Sequence, residues 1–340
     1  MIELKNKYII GTHVMFYEID IINEHVQSIN NALETVSNKQ NVTVDLFFNI
    51  SEYFEKVDTE QTSKEELIEK FNSIRQTIPC KTNIEIYDKK EPITMVEYRR
   101  NLCYFNCNEF DYVIWGESDC LIPREFFQCL ETVKSYAVQN NIHKFITTFA
   151  TRKMWDDSWK ILEHPEFTDK QYYEKYIKGT RDIDERAYNE PHSIRYTMSI
   201  DEMNLVNSKS EELDIRLLKQ PKFDGSCLIM SSDLLKTGVN IPTGFFGLSG
   251  EDTAFMQSCM TIMGSNYIQF VIKNILKVHN REHPKKRRYA LNMMSKEKST
   301  QDNKGDWYNL IRDMNKKNLQ LFGGQHKYLT YEDFEKELQK

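Results

Sequence analysis

Three short stretches of the chain carry residue types and spacings that can do chemistry. The first is Glu117-Ser118-Asp119, which follows Tyr112-Val113-Ile114-Trp115-Gly116. If a strand runs on through Glu117, two carboxylates one residue apart point to the same side. Two carboxylates at a sheet edge can hold a hard divalent cation, Mg²⁺ or Mn²⁺, that also takes phosphate oxygens. An ordinary acidic strand-to-loop turn reads the same way. The second stretch is Gly250-Glu251-Asp252-Thr253. Carboxylates at a helix start are common caps. The approach Phe245-Phe246-Gly247-Leu248-Ser249 is apolar and glycine-bearing, which suits a wall built close to a ligand. The third is Lys277-Val278-His279, ahead of the basic run Lys285-Lys286-Arg287-Arg288. A single histidine is more often structural than a ligand, and a basic run is usually solvated surface, although such a run can steady a diphosphate or polyanion.

The elements that must position these residues follow from periodicity. Strands are expected at 7–16, 42–50, 82–87, 112–115 and 143–150, with a further one at 267–271. Helices are expected at 19–36, 62–77, 94–108, 123–140 and 252–263. The helical stripes are Ile19, Ile22, Val26, Ile29, Leu33 and Leu67, Ile68, Phe71, Ile74. This alternation predicts an α/β layer sandwich with a largely parallel sheet, whose site lies beyond the carboxyl ends of the strands. Residues 151–222 are polar and charged and read as an insertion, with helices around 169–178 and 208–219. Trp155 and Trp159 would share one helix face there, either as core or as a surface that stacks on a sugar or base, beside Asp156 and Asp157. Core character returns at 223–235. Residues 284–340 read as a basic loop followed by helices at 306–318 and 330–339.

Composition narrows the classes. The chain has 340 residues, with 45 Lys+Arg against 51 Asp+Glu, a net charge of -6. That excludes coating of nucleic acid by bulk positive charge, but not a local basic groove. No run of 18 apolar residues exists and the start, Met1-Ile2-Glu3-Leu4-Lys5, lacks a secretory pattern, so neither a membrane span nor export is expected. The seven cysteines are scattered without a zinc spacing, and Cys103 and Cys107 fit one helix face, so a reducing, cytoplasmic setting is expected. No P-loop or dinucleotide-type glycine fingerprint is present.

Taken in order, these stretches resemble a nucleotide-sugar glycosyltransferase of the GT-A fold, similar to glycosyltransferase family 2, over residues 5–150 and 223–283. The resemblance implies a Rossmann-like GT-A catalytic domain at 1–283, an acceptor-side insertion at 151–222 and a C-terminal extension. Arg100-Asn101 is similar to the Arg-Asn element that helps form the family's donor pocket. Asp111 to Asp119 resembles the strand ending in Asp-x-Asp, with Glu in place of the first Asp. This implies that Asp119 binds the metal on the donor diphosphate and that Glu117 faces the ribose or supports the metal. Phe223 to Met230 resembles the acceptor-side segment, and Glu251-Asp252 the Glu-Asp pair whose Asp is the general base in inverting members. His279 falls where many members place a late metal-binding His. The first strand ends Gly11-Thr12-His13 rather than in the usual pattern, and Phe48-Asn49-Ile50 offers no acidic base contact, which leaves Thr12 and Asn49 as candidate base or ribose contacts.

The expected activity is therefore Mn²⁺- or Mg²⁺-dependent hexosyl or pentosyl transfer. The donor would be a nucleoside-diphosphate sugar, and the acceptor a hydroxyl on a glycan or small molecule. One alternative is the same chemistry on a hydroxymethylated base in DNA, with Lys285–Arg288 on the phosphates. Others are a non-glycosyl metal-dependent nucleotide enzyme and a non-catalytic binding module.

Overall fold

The computed structural model describes residues 1–51, 62–90, 93–153, 198–218, 221–247, 250–280, 306–319 and 329–338. The expected helix at 169–178, the Trp155–Trp159 pair with Asp156 and Asp157, and the basic run Lys285–Arg288 lie outside these residues.

The apolar runs of the N-terminal half become β1 (Tyr8–Met15), β2 (Val42–Asn49), β3 (Lys81–Tyr87) and β4 (Tyr112–Gly116), parallel and ordered β3-β2-β1-β4. Every residue of β1 and β4 is buried, as expected where helices cover both faces of a parallel sheet. The crossovers contain α1 (Ile22–Leu33), α2 (Lys64–Arg75) and α3 (Met95–Asn106). Ser63 caps α2 by accepting the Glu66 N–H at 3.2 Å, and Thr94 with Glu97 forms a capping box on α3.

The chain then forms β5 (Cys120–Leu121), α4 (Phe126–Gln139), β6 (Ile146–Lys153), α5 (Ile200–Asn207), β7 (Ile215–Leu217), β8 (Ile229–Ser231), α6 (Ser232–Leu235), α7 (Glu251–Met263) and β9 (Gln269–His279). The C-terminal elements are α8 (Asp306–Leu319) and α9 (Tyr331–Leu338). The nine-stranded sheet runs β3-β2-β1-β4-β8-β6-β9-β5, with β7 also on β9. β1, β2, β3, β4, β6 and β9 run one way, and β5, β7 and β8 run against them. The architecture is thus mixed α/β with a central, mostly parallel sheet.

Alternation along each strand feeds two apolar layers. Ile10, Val14, Val44 and Leu46 pack with Val26, Ile29, Phe71, Phe127 and Val133 of α1, α2 and α4. Ile9, Phe47, Val113 and Trp115 pack with Val96, Leu102, Leu234 and Phe255 of α3, α6 and α7. Burial of one such aliphatic or aromatic side chain contributes about 1.5–3 kcal/mol, and this holds the strand ends that carry the site.

Three expectations need correction. The stretch expected as a helix at 208–219 instead holds the turn that follows α5 and the short strand β7, where Ile215, Arg216 and Leu217 pair with Ile272, Val271 and Phe270. A free ladder edge on β9 outweighs local propensity there. The strand at 267–271 is longer and extends to His279. β4 stops at Gly116, so Glu117 and Asp119 do not share a strand face. They sit in a turn closed by the Cys120 N–H donating to Glu117 O at 2.9 Å.

Candidate active site

The site collects at the edge where the carboxyl ends of β1, β4 and β9 emerge. The turn after β4 is pinned from four directions. Cys120 pairs with His279 across β5 and β9, and the Asn280 N–H donates to Asp119 O at 2.8 Å. Glu117 N–H donates to Ser226 O at 3.1 Å. From below, His25 of α1 donates Nδ1–H to Cys120 O at 2.6 Å, while its Nε2 lies 3.1 Å from Thr12 Oγ1. A carbonyl can only accept, so this contact fixes the tautomer. Gly116 is required at this crossing, because a Cβ there would sit 2.6 Å from Thr12 Oγ1 and 2.9 Å from His25 Nε2.

This pinning brings Glu117, Asp119 and His279 together, with one donor atom from each lying within 4.8 Å of the others. His279 Nε2 is 2.9 Å from Glu117 Oε2 and 3.4 Å from Asp119 Oδ1. Burial alone would disfavour the imidazolium, but the Asp119 and Glu117 carboxylates outweigh it and raise the His279 pKa to about 9. Burial also opposes ionisation of Glu117, yet the His279 hydrogen bond and charge, with Arg99, hold it below the usual carboxylate range. Two carboxylates that jointly hold a proton on an imidazole form a hard, negatively charged donor set. Such a set fits a divalent cation in place of that proton.

Arg99 joins this cluster to the start of α7. Its guanidinium is 1% exposed and lies with Cζ 5.0 Å from the centre of the Trp115 ring. One nitrogen donates to Glu117 Oε1 at 3.2 Å and the other to Glu251 Oε1. Arg99 therefore does not lie on the helix surface as a solvated charge. The resemblance points to Arg100 instead, through the Arg100-Asn101 pair. The helical offset from the buried Val96 and Cys103 was the available signal.

Glu251 is buried, and burial pushes its carboxyl up to about 7 despite Arg99, with Asp252 and Glu117 adding to the shift. Asp252 is half-buried, and its Oδ1 accepts the Thr253 N–H at 2.6 Å. Gly225 lets the 224–227 turn pass between the two halves, since a Cβ there would stand 3.2 Å from Asp252 Cβ and from Glu251 Oε1. That turn is anchored by Lys277, which is completely buried. Its Nζ lies 2.9 Å from Asp224 Oδ2 and 2.5 Å from Ser226 Oγ, while Thr151 donates to Asp224 at 3.0 Å. Lys277 lies in the third stretch and Asp224 in the acceptor-side segment singled out from the sequence, where neither carries a role of its own.

The remaining predicted residues lie apart from the cluster or serve the framework. Arg100 donates to the carbonyls of Ile241 (3.1 Å), Pro242 (2.8 Å) and Phe245. Asn101 is exposed on α3. Asn49 donates to Ile93 O at 2.7 Å and lies 3.2 Å from His13 Nε2. Thr12 meets His25 beneath Gly116. The structure thus unites Glu117, Asp119, His279, Glu251 and Asp252, and leaves Arg100, Asn101 and Asn49 outside that group.

No family model matches the chain, and no curated protein matches it. Among solved structures, S. aureus TarS 1–349 aligns at 12% identity and a TM-score of 0.42, covering 96% of this chain and 76% of that one. UDP-glucose pyrophosphorylase complexed with UDP-glucose aligns at 8% identity and 0.34, covering 85% and 99%. Mannose-6-phosphate isomerase from Helicobacter pylori aligns at 8% and 0.30, covering 79% and 96%. At these TM-scores the likenesses carry no assignment of activity. Among the described residues, no helix is long and apolar enough to cross a membrane.

Proposed function

We propose that the protein is a metal-dependent glycosyltransferase that moves a sugar from a nucleoside-diphosphate donor to an acceptor hydroxyl with inversion. The observation that carries this reading is the convergence of Glu117, Asp119 and His279 with Glu251 and Asp252, linked by one buried arginine. A carboxylate-imidazole cluster alone fits many metal proteins. Glu251 at a helix start, tied to that cluster through a single guanidinium, brings its half-buried neighbour Asp252 alongside, and Asp252 supplies the other requirement of group transfer, a base for the acceptor hydroxyl.

Asp119 and His279 would hold Mn²⁺ or Mg²⁺, which when bound neutralises charge on a departing diphosphate. Glu117 orients His279 and Arg99. Glu251 holds the other side of Arg99, leaving Asp252 as the carboxylate with solvent access that takes the proton from the acceptor hydroxyl. The buried Phe245 ring, which lies against Gly250 at the start of the same helix, would limit water on that side.

The test is donor hydrolysis and transfer across UDP-, GDP- and other nucleotide sugars with and without Mn²⁺. Metal-dependent turnover that disappears in Asp119→Asn supports the proposal. Equal turnover in that variant removes the metal assignment. Metal-dependent nucleotide binding with the donor sugar left in place under all acceptors points instead to a binding or nucleotidyl function.

A further inference from the structure

We propose that Asn315, in the C-terminal helix α8, is a positioning residue for Asp252, acting through the backbone of the loop 241–247. The part of this inference that concerns catalysis rests on the transferase reading, and the mechanical coupling does not.

The loop lies between α6 and α7 and belongs to no strand, so its buried peptide groups need partners from elsewhere. Asn315 is 1% exposed and gives both its polar atoms to one residue. Its Nδ2–H donates to Phe246 O at 2.9 Å, and its Oδ1 accepts the Phe246 N–H at 3.1 Å. One turn on, Asn318 donates from Nδ2 to Gly244 O at 2.7 Å and to Leu329 O at 2.8 Å, and its Oδ1 accepts the Leu329 N–H at 2.8 Å. The opposite flank of the loop is held by α3, through Arg100 on the Ile241, Pro242 and Phe245 carbonyls and through Thr94 Oγ1, which accepts the Gly247 N–H at 3.1 Å. The loop is therefore gripped between two helices, one of which comes from the C-terminal extension.

The grip reaches the catalytic turn through Phe245. A Cβ on Gly250 would lie 3.5 Å from Phe245 Cζ, so that ring bounds the cap of α7. Gly250 takes a left-handed φ of 79° and accepts the Ala254 N–H at 3.0 Å, opening the helix turn that carries Glu251 and Asp252. A shift of Phe246 displaces its neighbour Phe245 and hence the cap. Small misplacements of a reacting group can cost about 10²-fold in rate.

The experiment compares the full chain with Asn315→Ala and Asn315→Asp, with Lys316→Ala, an exposed neighbour, as control. Asn315→Asp keeps the side-chain shape and the acceptor for Phe246 N–H but sets an oxygen against Phe246 O. Both variants should show faster amide exchange over 244–256 with unchanged exchange in β4 and β9. Donor affinity with Mn²⁺ should stay within about twofold while transfer kcat falls about 10–100-fold. Asn315→Asp should be at least as impaired as alanine, whereas a packing role would leave it silent. If the alanine variant fails to fold, the aspartate variant decides. Unchanged exchange over 244–256, or donor affinity falling in step with kcat, overturns the inference. Faster exchange confined to 244–256 in a protein without any transferase turnover upholds the coupling and removes the transferase reading.

Discussion

On the metal side of the site, Asp119 and His279 meet because β5 and β9 pair Cys120 with His279, and a buried Lys277–Asp224 pair locks the neighbouring turn. On the base side, Glu251 and Asp252 sit on a helix whose approach loop is tethered by hydrogen bonds from α3 and α8. One half is placed by strand register inside the sheet, and the other by hydrogen bonds from outside it. Two glutamates sharing Arg99 show the same contrast. Burial disfavours ionisation of both, but His279 holds Glu117 down while Glu251 rises to about 7. Rigid placement beside a cationic partner keeps a buried carboxylate charged, and burial without enough compensating charge does not.

Breaking the base side should cost activity and spare the fold. Asp252→Asn is expected to lower transfer about 10²–10⁴-fold, the usual contribution of a general base. Donor binding and thermal midpoint should stay near wild type, read by calorimetry. Breaking the framework behind the metal side should cost stability. Lys277→Met leaves the Asp224 carboxylate buried without its cation, a change that destabilises by about 3–5 kcal/mol. Urea unfolding should show that loss, and Lys277→Met with Asp224→Leu should recover much of it.

The smallest effect concerns pH. A carboxyl whose folded pKa is raised from 4.5 to about 7 binds a proton in the folded state that the unfolded chain has released. Its favourable contribution is complete below pH 4.5 and is lost as pH rises towards 7. Relative to wild type, Glu251→Gln should gain stability across that window by up to about 1.4 kcal/mol per pH unit. Urea midpoints of the metal-free proteins at pH 5 and pH 7 check it, and a constant difference between the two proteins would show that Arg99 keeps Glu251 ionised throughout.

The N-terminal half was legible because its pattern is local. The stripe of Val26, Ile29 and Leu33, the alternation in Val42 to Phe48 and the unbroken run Tyr112 to Trp115 each specify one element without outside help. β7 was not legible, because a three-residue pairing depends on which edge lies free, nor was the full length of β9, whose second half pairs past an irregularity with Ala150 to Lys153 of β6. Neither was Arg99, whose role depends on the side of α3 that faces Trp115.

Residue type and order alone determined which carboxylates and which histidine were candidates, since ionisable chemistry belongs to the side chain. Whether they act together was a tertiary matter. Glu117 and His279 are 162 residues apart in the chain and touch because antiparallel pairing of β5 with β9 brings the ends together. The same holds for Asn315 and Phe246, where an asparagine unremarked in a polar helix meets the backbone of a distant loop. Sequence periodicity records which face of an element is apolar, and it holds no record of which distant peptide group that face will meet.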